Sequence, residues 1–441
     1  MDRSAISSRI GQWIEGHKAE SSALASELVR IPSVNHPPYG NEAAYQDFFA
    51  ERLRSLGAAV SMYKLDSVPG LTEHPAYMKG RDYTNRPNVH GQFTGSGGGR
   101  SIVFSGHADT VYEGTEPWQD GPFAGTIRDG KLYGRGTCDM KGGLAASIIA
   151  AEAFVDVYPD FSGAVEISGT ADEETGGFGG VAYLAEKGFF TPERVQHVII
   201  PEPLNKDRIC LGHRGVWWAE IETKGTIAHG SMPFLGDSAI RHMGAVLTEM
   251  EATLFPALAE KRTAMPVVPP QARQSTLNIN SIHGGQPEPE EGFTGFPAPV
   301  VAHSSRMIID RRYLIEETPA DVRQEMIDVL ERVKAQRPTF QYEIRDLWTI
   351  SPTMTERDAP IVTATSKAIT EVLGIDPAYV VSPGTYDQKH IDRIGRMKNC
   401  IAYGPGILDL AHKPDEYVGV DDMIDSAKVM ALTLRDLLGP R

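Results

Sequence analysis

Residues 101–106 read SIVFSG, and after them come GGLAASIIAAEAF (142–154), AVEISG (164–169), VAYLAEKG (181–188) and HVIIPE (197–202). The first, third and fifth are apolar runs of strand length closed by glycine or proline, whereas the second and fourth are longer or helically spaced. Strand, helix, strand, helix, strand is the order of βαβ units, so the stretch predicts an α/β fold with a mostly parallel sheet flanked by helices.

Outward toward the N-terminus, Ile6, Ile10, Trp13, Ile14, Leu24 and Leu28 recur at helical spacing before Pro32. A second helix fits Ala43 to Leu56, ahead of Gly57, and strands are expected around Val60 and Val89–Phe93. Between those strands, Pro69 to Pro87 forms a loop of functional length. GSGGGR at 95–100 lacks the Lys-Ser or Lys-Thr of a phosphate loop and precedes a strand, so it reads as a hairpin turn.

Outward toward the C-terminus the rhythm changes after Gly215: a strand (VWWAEIET), a long helix from Ser238 to Arg262, two strands (STLNINSI, SRMIIDRR), a helix from Ala320 to Lys334 and a strand (FQYEIRD). One sheet with two helices on a single face is an α+β, ferredoxin-like insert. From Ser351 the alternation returns through YVVSPG, NCIAYGPG and a last helix, Asp421 to Leu438. The expected domains are therefore a discontinuous one, 1–213 with 351–441, and an inserted one, 214–350.

The bulk properties narrow the class. A chain of 441 residues is too long for one core, and a net charge of -15 repels a phosphate backbone, which excludes nucleic acid as a partner. Cys138, Cys210 and Cys400 are odd in number and far apart, which speaks against a disulfide framework and for a reducing compartment. MDRSAISSRIGQWIEGHKAE lacks the apolar core of a signal peptide, and no run approaches the ~18 apolar residues of a membrane span. A cytoplasmic protein acting on a small molecule, away from membranes, is expected.

Chemistry-bearing residues sit where the strands end, the place where an open α/β sheet binds ligands. His107-Ala108-Asp109 follows SIVFSG; alone it reads as a buried hydrogen-bonded pair sooner than as a metal site. Asp139 lies in the turn GRGTCDMKGG (134–143) at the mouth of a helix, where it could bridge two cations or simply cap the helix. ADEETGG (171–177) puts three acids in a row, a solvated loop unless a cation or proton offsets their repulsion. Glu202 in Ile-Pro-Glu-Pro and His412 in Ala-His-Lys follow two further strands. Together they make two imidazoles, one bridging carboxylate and two more carboxylates, a donor set suited to two zinc ions, with cobalt or manganese as substitutes. Of the two glutamates at 173 and 174, one would ligate and the other move protons.

At these residues the sequence resembles the zinc-dependent family containing acetylornithine deacetylase, succinyl-diaminopimelate desuccinylase, aminoacylase and glutamate carboxypeptidase. SGHADTV, YGRGTCDMKGG, ADEETGG, PEP, AHGSMPFLGDSAI and AHKPDEYV occur in the family's order along nearly the whole chain. The resemblance implies that His107, Asp139 and Glu202 hold one zinc and Asp139, Glu174 and His412 the other, with Glu173 as general base. It further implies that Asp109 clamps the imidazole of His107, and that a cis peptide follows Asp139.

By the same resemblance the inserted domain is a lid and dimerisation domain whose His229 reaches a partner subunit's oxyanion, and Arg312 binds a substrate carboxylate. Gly384 and Thr385 line the substrate pocket. The bland alternatives are a structural histidine, a salt bridge and a plain turn. Two departures bear on specificity: Pro299-Val300-Val301-Ala302 replaces a family asparagine motif after an acidic, proline-rich loop, and Lys389 stands where several deacylases have arginine. The implied function is a deacylase cleaving the amide bond of a small N-acylated amino acid or related amine. The alternatives are a dipeptidase or carboxypeptidase of the same chemistry and an inactive small-molecule binding protein.

Overall fold

The computed structural model describes residues 2–65, 80–96, 98–286 and 298–439. Most of the loop Pro69–Pro87 and of the acidic, proline-rich loop before Pro299 lies outside them. The chain forms two compact units: Met1–Gly212 with Met354–Val380 and Tyr386–Arg441, and His213–Thr353 with Val381–Thr385.

The first unit is built on a nine-stranded mixed sheet, which runs in the order Arg208–His213, Cys400–Ala402, His197–Ile200, Ser101–His107, Ala164–Thr170, Asn88–Thr94, Ala59–Tyr63 across most of its width. The centre is parallel: Ser101–His107 pairs in parallel with both Ala164–Thr170 and His197–Ile200, and the latter with Cys400–Ala402. The flanks turn antiparallel, at Asn88–Thr94 with Ala164–Thr170 on one side and Arg208–His213 with Cys400–Ala402 on the other. The central strands are buried along their length, as expected of strands covered on both faces. Helix Gly142–Val157 is buried nearly all round and packs against helices Arg3–Gly16 and Val420–Leu438.

Local expectations fail at identifiable residues. GSGGGR is not a hairpin turn: Asn88–Thr94 and Ser101–His107 both pair with Ala164–Thr170, on opposite sides, so the segment crosses over one strand. The first helical stretch breaks at His17 into Arg3–Gly16 and Lys18–Arg30. The helix expected at 181–188 shrinks to Tyr183–Glu186, preceded by a wider helical stretch, Phe178–Ala182, in which Gly180 leaves helical geometry and a side chain there would strike the Ala171 carbonyl at 2.1 Å. The long helix from Ser238 becomes Ala239–Glu249, widens over Met250–Leu254 and ends at Glu260; Pro256, with no N–H to donate, lies in its last stretch.

The second unit is a four-stranded antiparallel sheet ordered Thr276–Gly284, Ser304–Tyr313, Gly215–Lys224, Gln341–Ile350, which with helices Ala239–Glu249 and Pro319–Gln336 gives the βαββαβ ferredoxin-like order. Trp217, Ala219 and Ile221 face the helices and join Met243, Val246, Met326, Val329 and Leu330 in one apolar core. The alternate residues Trp218, Glu220 and Glu222 are half-buried on the other face, where Trp218 meets Trp348 edge-on. Among the described residues no helix is long and apolar enough to cross a membrane, and all three cysteines are buried and unbridged.

Candidate metal centre

Five separate segments of the first unit deliver their side chains to one place. His107 is the last residue of its strand, Asp139 lies in the turn Thr137–Lys141 before a helix, and Glu174 lies in the turn Glu173–Thr175. Glu202 follows the strand His197–Ile200, and His412 adopts a left-handed backbone, φ 64°, in the loop after Cys400–Ala402. Two triads result, His107 with Asp139 and Glu202, and Asp139 with Glu174 and His412, each with its donor atoms within 4.8 Å of one another. Asp139 belongs to both: Oδ1 stands 3.1 Å from Nε2 of His107 and Oδ2 stands 3.4 Å from Nε2 of His412. Nε2 of His412 is also 3.2 Å from Oε2 of Glu174, and Nε2 of His107 is 3.9 Å from Oε1 of Glu202.

The electrostatics call for cations there. Burial and the neighbouring charge of Asp139 push the Glu174 carboxyl up to about 7 and raise Glu202 well above the ordinary range. Hydrogen bonds to Asp139 and Glu174 lift His412 to about 10, burial opposing them. At His107 burial works downward, but the hydrogen bond to Asp139 and the charges of Glu202 and Asp109 outweigh it. Oε1 of Glu174 is buried with no hydrogen-bond partner among the described residues, so a coordinating atom is available. Three buried carboxylates and two imidazoles, with one carboxylate split between the imidazoles, fit a pair of zinc-like ions.

Partners distant in sequence hold these ligands. Glu416 Oε1 accepts the backbone N–H groups of Cys138 at 2.8 Å and Asp139 at 3.2 Å, while its Oε2 accepts from Arg135 Nη1 at 2.5 Å. Glu416 and Arg135 are both buried. The Asp139–Met140 peptide in this turn is cis. Behind the turn, Gly143 lets the helix approach the chain before Glu202, since a Cβ there would lie 1.9 Å from the Pro201 carbonyl.

Asp109 acts differently from the expected imidazole clamp. It is the backbone carbonyl of Asp109 that holds Nδ1 of His107, at 2.8 Å, and the carboxylate stands 3.7 Å away. That carboxylate instead accepts the backbone N–H groups of Glu173 and Glu174 and the side-chain amide of Asn35, because the strongly bent acidic loop leaves those donors without a helical partner. Asp172 anchors the same loop through Tyr83 and Thr175. Glu173, outside both triads, forms an ion pair with the buried Lys389 at 3.2 Å.

The remaining candidates lie in the second unit. His229 is exposed; the backbone N–H of Ser231 donates to its Nδ1, which leaves the ring proton on Nε2. Gly230 and Val301 tie that loop to Pro299 and Ala228. Arg312 commits Nε and Nη2 to Asp310 at 2.7 and 3.0 Å, so the salt bridge left open by the sequence is present. Gly384 and Thr385 group with the second unit rather than with the returning first-domain segment, because Val381 and Ser382 pair with Val268 and Arg214. Sequence reasoning missed Glu416, Arg135 and Asn35 altogether. The first two stood inside quoted motifs, and only the pattern of an acid and a base there hinted at a buried pair.

Comparison with known proteins agrees with this geometry. Residues 103–436 match the model of peptidase family M20/M25/M40. Succinyl-diaminopimelate desuccinylases of Methylobacillus flagellatus and Dechloromonas aromatica are each 30% identical, covering 94% of this chain and 98% of theirs. Among solved structures, human carnosine dipeptidase 1 superposes with a TM-score of 0.72 at 20% identity over 98% of this chain and 99% of its own. An M20 family metallo-carboxypeptidase of Sulfolobus solfataricus gives 0.71 at 18% identity, over 95% and 99%. The chain therefore belongs to peptidase family M20/M25/M40, and it is a hydrolase of amide bonds.

Proposed function

We propose that this hydrolase is a deacylase that cleaves the amide bond of a small N-acylated amino acid or related amine. The division of the Asp139 carboxylate between His107 and His412 carries the reading. His107, Asp139 and Glu202 would hold one zinc ion, and Asp139, Glu174 and His412 a second. Such an ion pair, when bound, polarises a carbonyl oxygen and acidifies a water. Glu173 lies beside the two triads without belonging to either, takes the proton of the attacking water, and returns it to the leaving amine.

His229 would supply a donor to the developing oxyanion from a second copy of the chain, for which the protonated Nε2 is the suitable tautomer. The exposed Ile227, Phe234, Leu235 and Ile240 around it support a homodimer formed through the inserted domain. Gly384 and Thr385 would line the substrate pocket, and Arg312 would meet a substrate carboxylate with Nη1, its Nε and Nη2 being held by Asp310. Acyl substrates are favoured over dipeptides because desuccinylases are the relatives matched at 30% identity across the chain, whereas the dipeptidase likeness is one of fold.

The test is a mass-spectrometric screen of the zinc-loaded protein against N-formyl, N-acetyl and N-succinyl amino acids beside a dipeptide panel. Release of a carboxylic acid and a free amine from an acyl compound supports the reading. Turnover of dipeptides alone transfers the assignment to a dipeptidase, and zinc-independent turnover overturns it.

A further inference from the structure

The fully formed helical turn after Asp387 places a lysine ammonium inside the protein. Lys389 is buried, and two carboxylates lie within 4 Å of it: Oε1 of Glu173 at 3.2 Å and Oδ1 of Asp387 at 3.8 Å. A buried ammonium is costly unless acids compensate it, so its placement ties the two segments together. The segments also dock elsewhere. Nε2 of His390 donates to the Gly176 carbonyl at 2.7 Å, and a Cβ on Gly177, whose φ is 72°, would lie 2.4 Å from Asp387 Oδ1. The loop carrying Glu173 is thus fixed twice: its backbone N–H by Asp109, and its side chain by Lys389. Oε2 of Glu173 is left without a partner among the described residues.

We propose that Lys389 is the positioning residue of Glu173, holding Oε1 so that Oε2 alone presents to the attacking water. This rests on the reading of Glu173 as general base. A glutamate has three side-chain torsions, and a base that wanders by about 1 Å loses on the order of 100-fold in rate. The ion pair removes that freedom without touching either metal triad. Oδ1 of Asp387, 3.8 Å from the same ammonium, is the second carboxylate beside it.

The experiment compares Lys389→Met, Lys389→Arg, Glu173→Gln and the Lys389→Met/Glu173→Gln double variant on the best N-acyl substrate of the panel, with zinc content measured for each. The Lys389→Met protein should keep its zinc and its KM within about 3-fold while kcat falls about 100-fold. Lys389→Arg should recover most of the loss, and Lys389→Met should add nothing in the Glu173→Gln background. A crystal structure of Lys389→Met should show the Glu173 carboxylate displaced or split between rotamers. Because Lys389→Met strands Asp387, Lys389→Met/Asp387→Asn serves if the single variant fails to fold, with the same kcat loss expected. Unchanged kcat, loss of zinc, an effect confined to KM, or an equal loss in the Glu173→Gln background would overturn the proposal. If Glu173→Gln itself keeps full turnover, the base reading falls and Lys389 with it; if only Lys389→Met is silent, the base reading stands.

Discussion

Asp109 accepts the backbone N–H of Glu173 at 3.1 Å, so an aspartate two residues past one imidazole ligand fixes the main chain of the residue assigned as base. Its second oxygen does the same for Glu174. Asp109→Ala should orphan the two backbone donors and one of the two N–H groups of the Asn35 amide, whose other stays on Thr175, at roughly 1–3 kcal/mol for each unmet group. The expected result is a fall of several degrees in Tm together with at least a 100-fold fall in kcat/KM. Preserved activity in a destabilised protein would show that the loop keeps its shape unaided.

Glu416 serves the bridging aspartate in the same manner. Its removal as Glu416→Ala strands the buried Arg135 guanidinium and two N–H groups of the turn, and loss of one partner of a buried pair costs about 3–5 kcal/mol. Urea unfolding should register that loss, and zinc titration should show weaker binding although no ligand atom has changed. Equal zinc affinity in the two proteins would separate the turn from the metal site.

Chelation should both inactivate and destabilise the enzyme. Asp139, Glu174 and Glu202 crowd three carboxylates around two imidazoles, and a bound cation contributes stability as RT ln(1 + [L]/Kd), about 4 kcal/mol at a thousandfold excess over Kd. Dialysis against a chelator should lower Tm, and zinc should restore both Tm and turnover. An unchanged Tm would mean that the triads are not occupied together.

His197 provides a pH signature away from the centre. Burial, aided by Arg100, holds it down at about 4, against an ordinary value near 6.5 in the unfolded chain. Between those values the unfolded chain binds the extra proton, so stability is complete above pH 6.5 and is lost as the pH falls toward 4, by up to about 3 kcal/mol. Urea midpoints at pH 7 and pH 4.5 should differ more for the parent protein than for His197→Gln. Parallel pH profiles would remove His197 as the cause.

How much of this was legible follows from where the information lies. Four of the ligands, His107, Glu174, Glu202 and His412, stood out because they end or follow strands, which announce themselves through local apolar runs, and Asp139 because it lies in a glycine-rich turn at the mouth of a helix; none needed knowledge of pairing. Glu416, Arg135 and Lys389 were opaque in role because their partners are remote: Glu416 bonds Cys138 across 278 positions and Lys389 reaches Glu173 across 216. The hairpin assigned to GSGGGR failed for a related reason, since a glycine-rich turn does not reveal that the Ala164–Thr170 strand will come to lie between its two arms. The inserted unit was legible because alternation between buried and exposed residues in Gly215–Lys224 is itself local.

The bridging aspartate depends on chain made much later. Asp139 is anchored by Glu416 and shares its second triad with His412, so a ribosome must translate past residue 416 before either arrangement exists. A growing polypeptide that has released the first unit's central strands carries His107, Asp139 and Glu202 without the residues that complete the bimetallic cage. The arrangement around Asp139 is therefore complete only once the segment carrying His412 and Glu416 has been made.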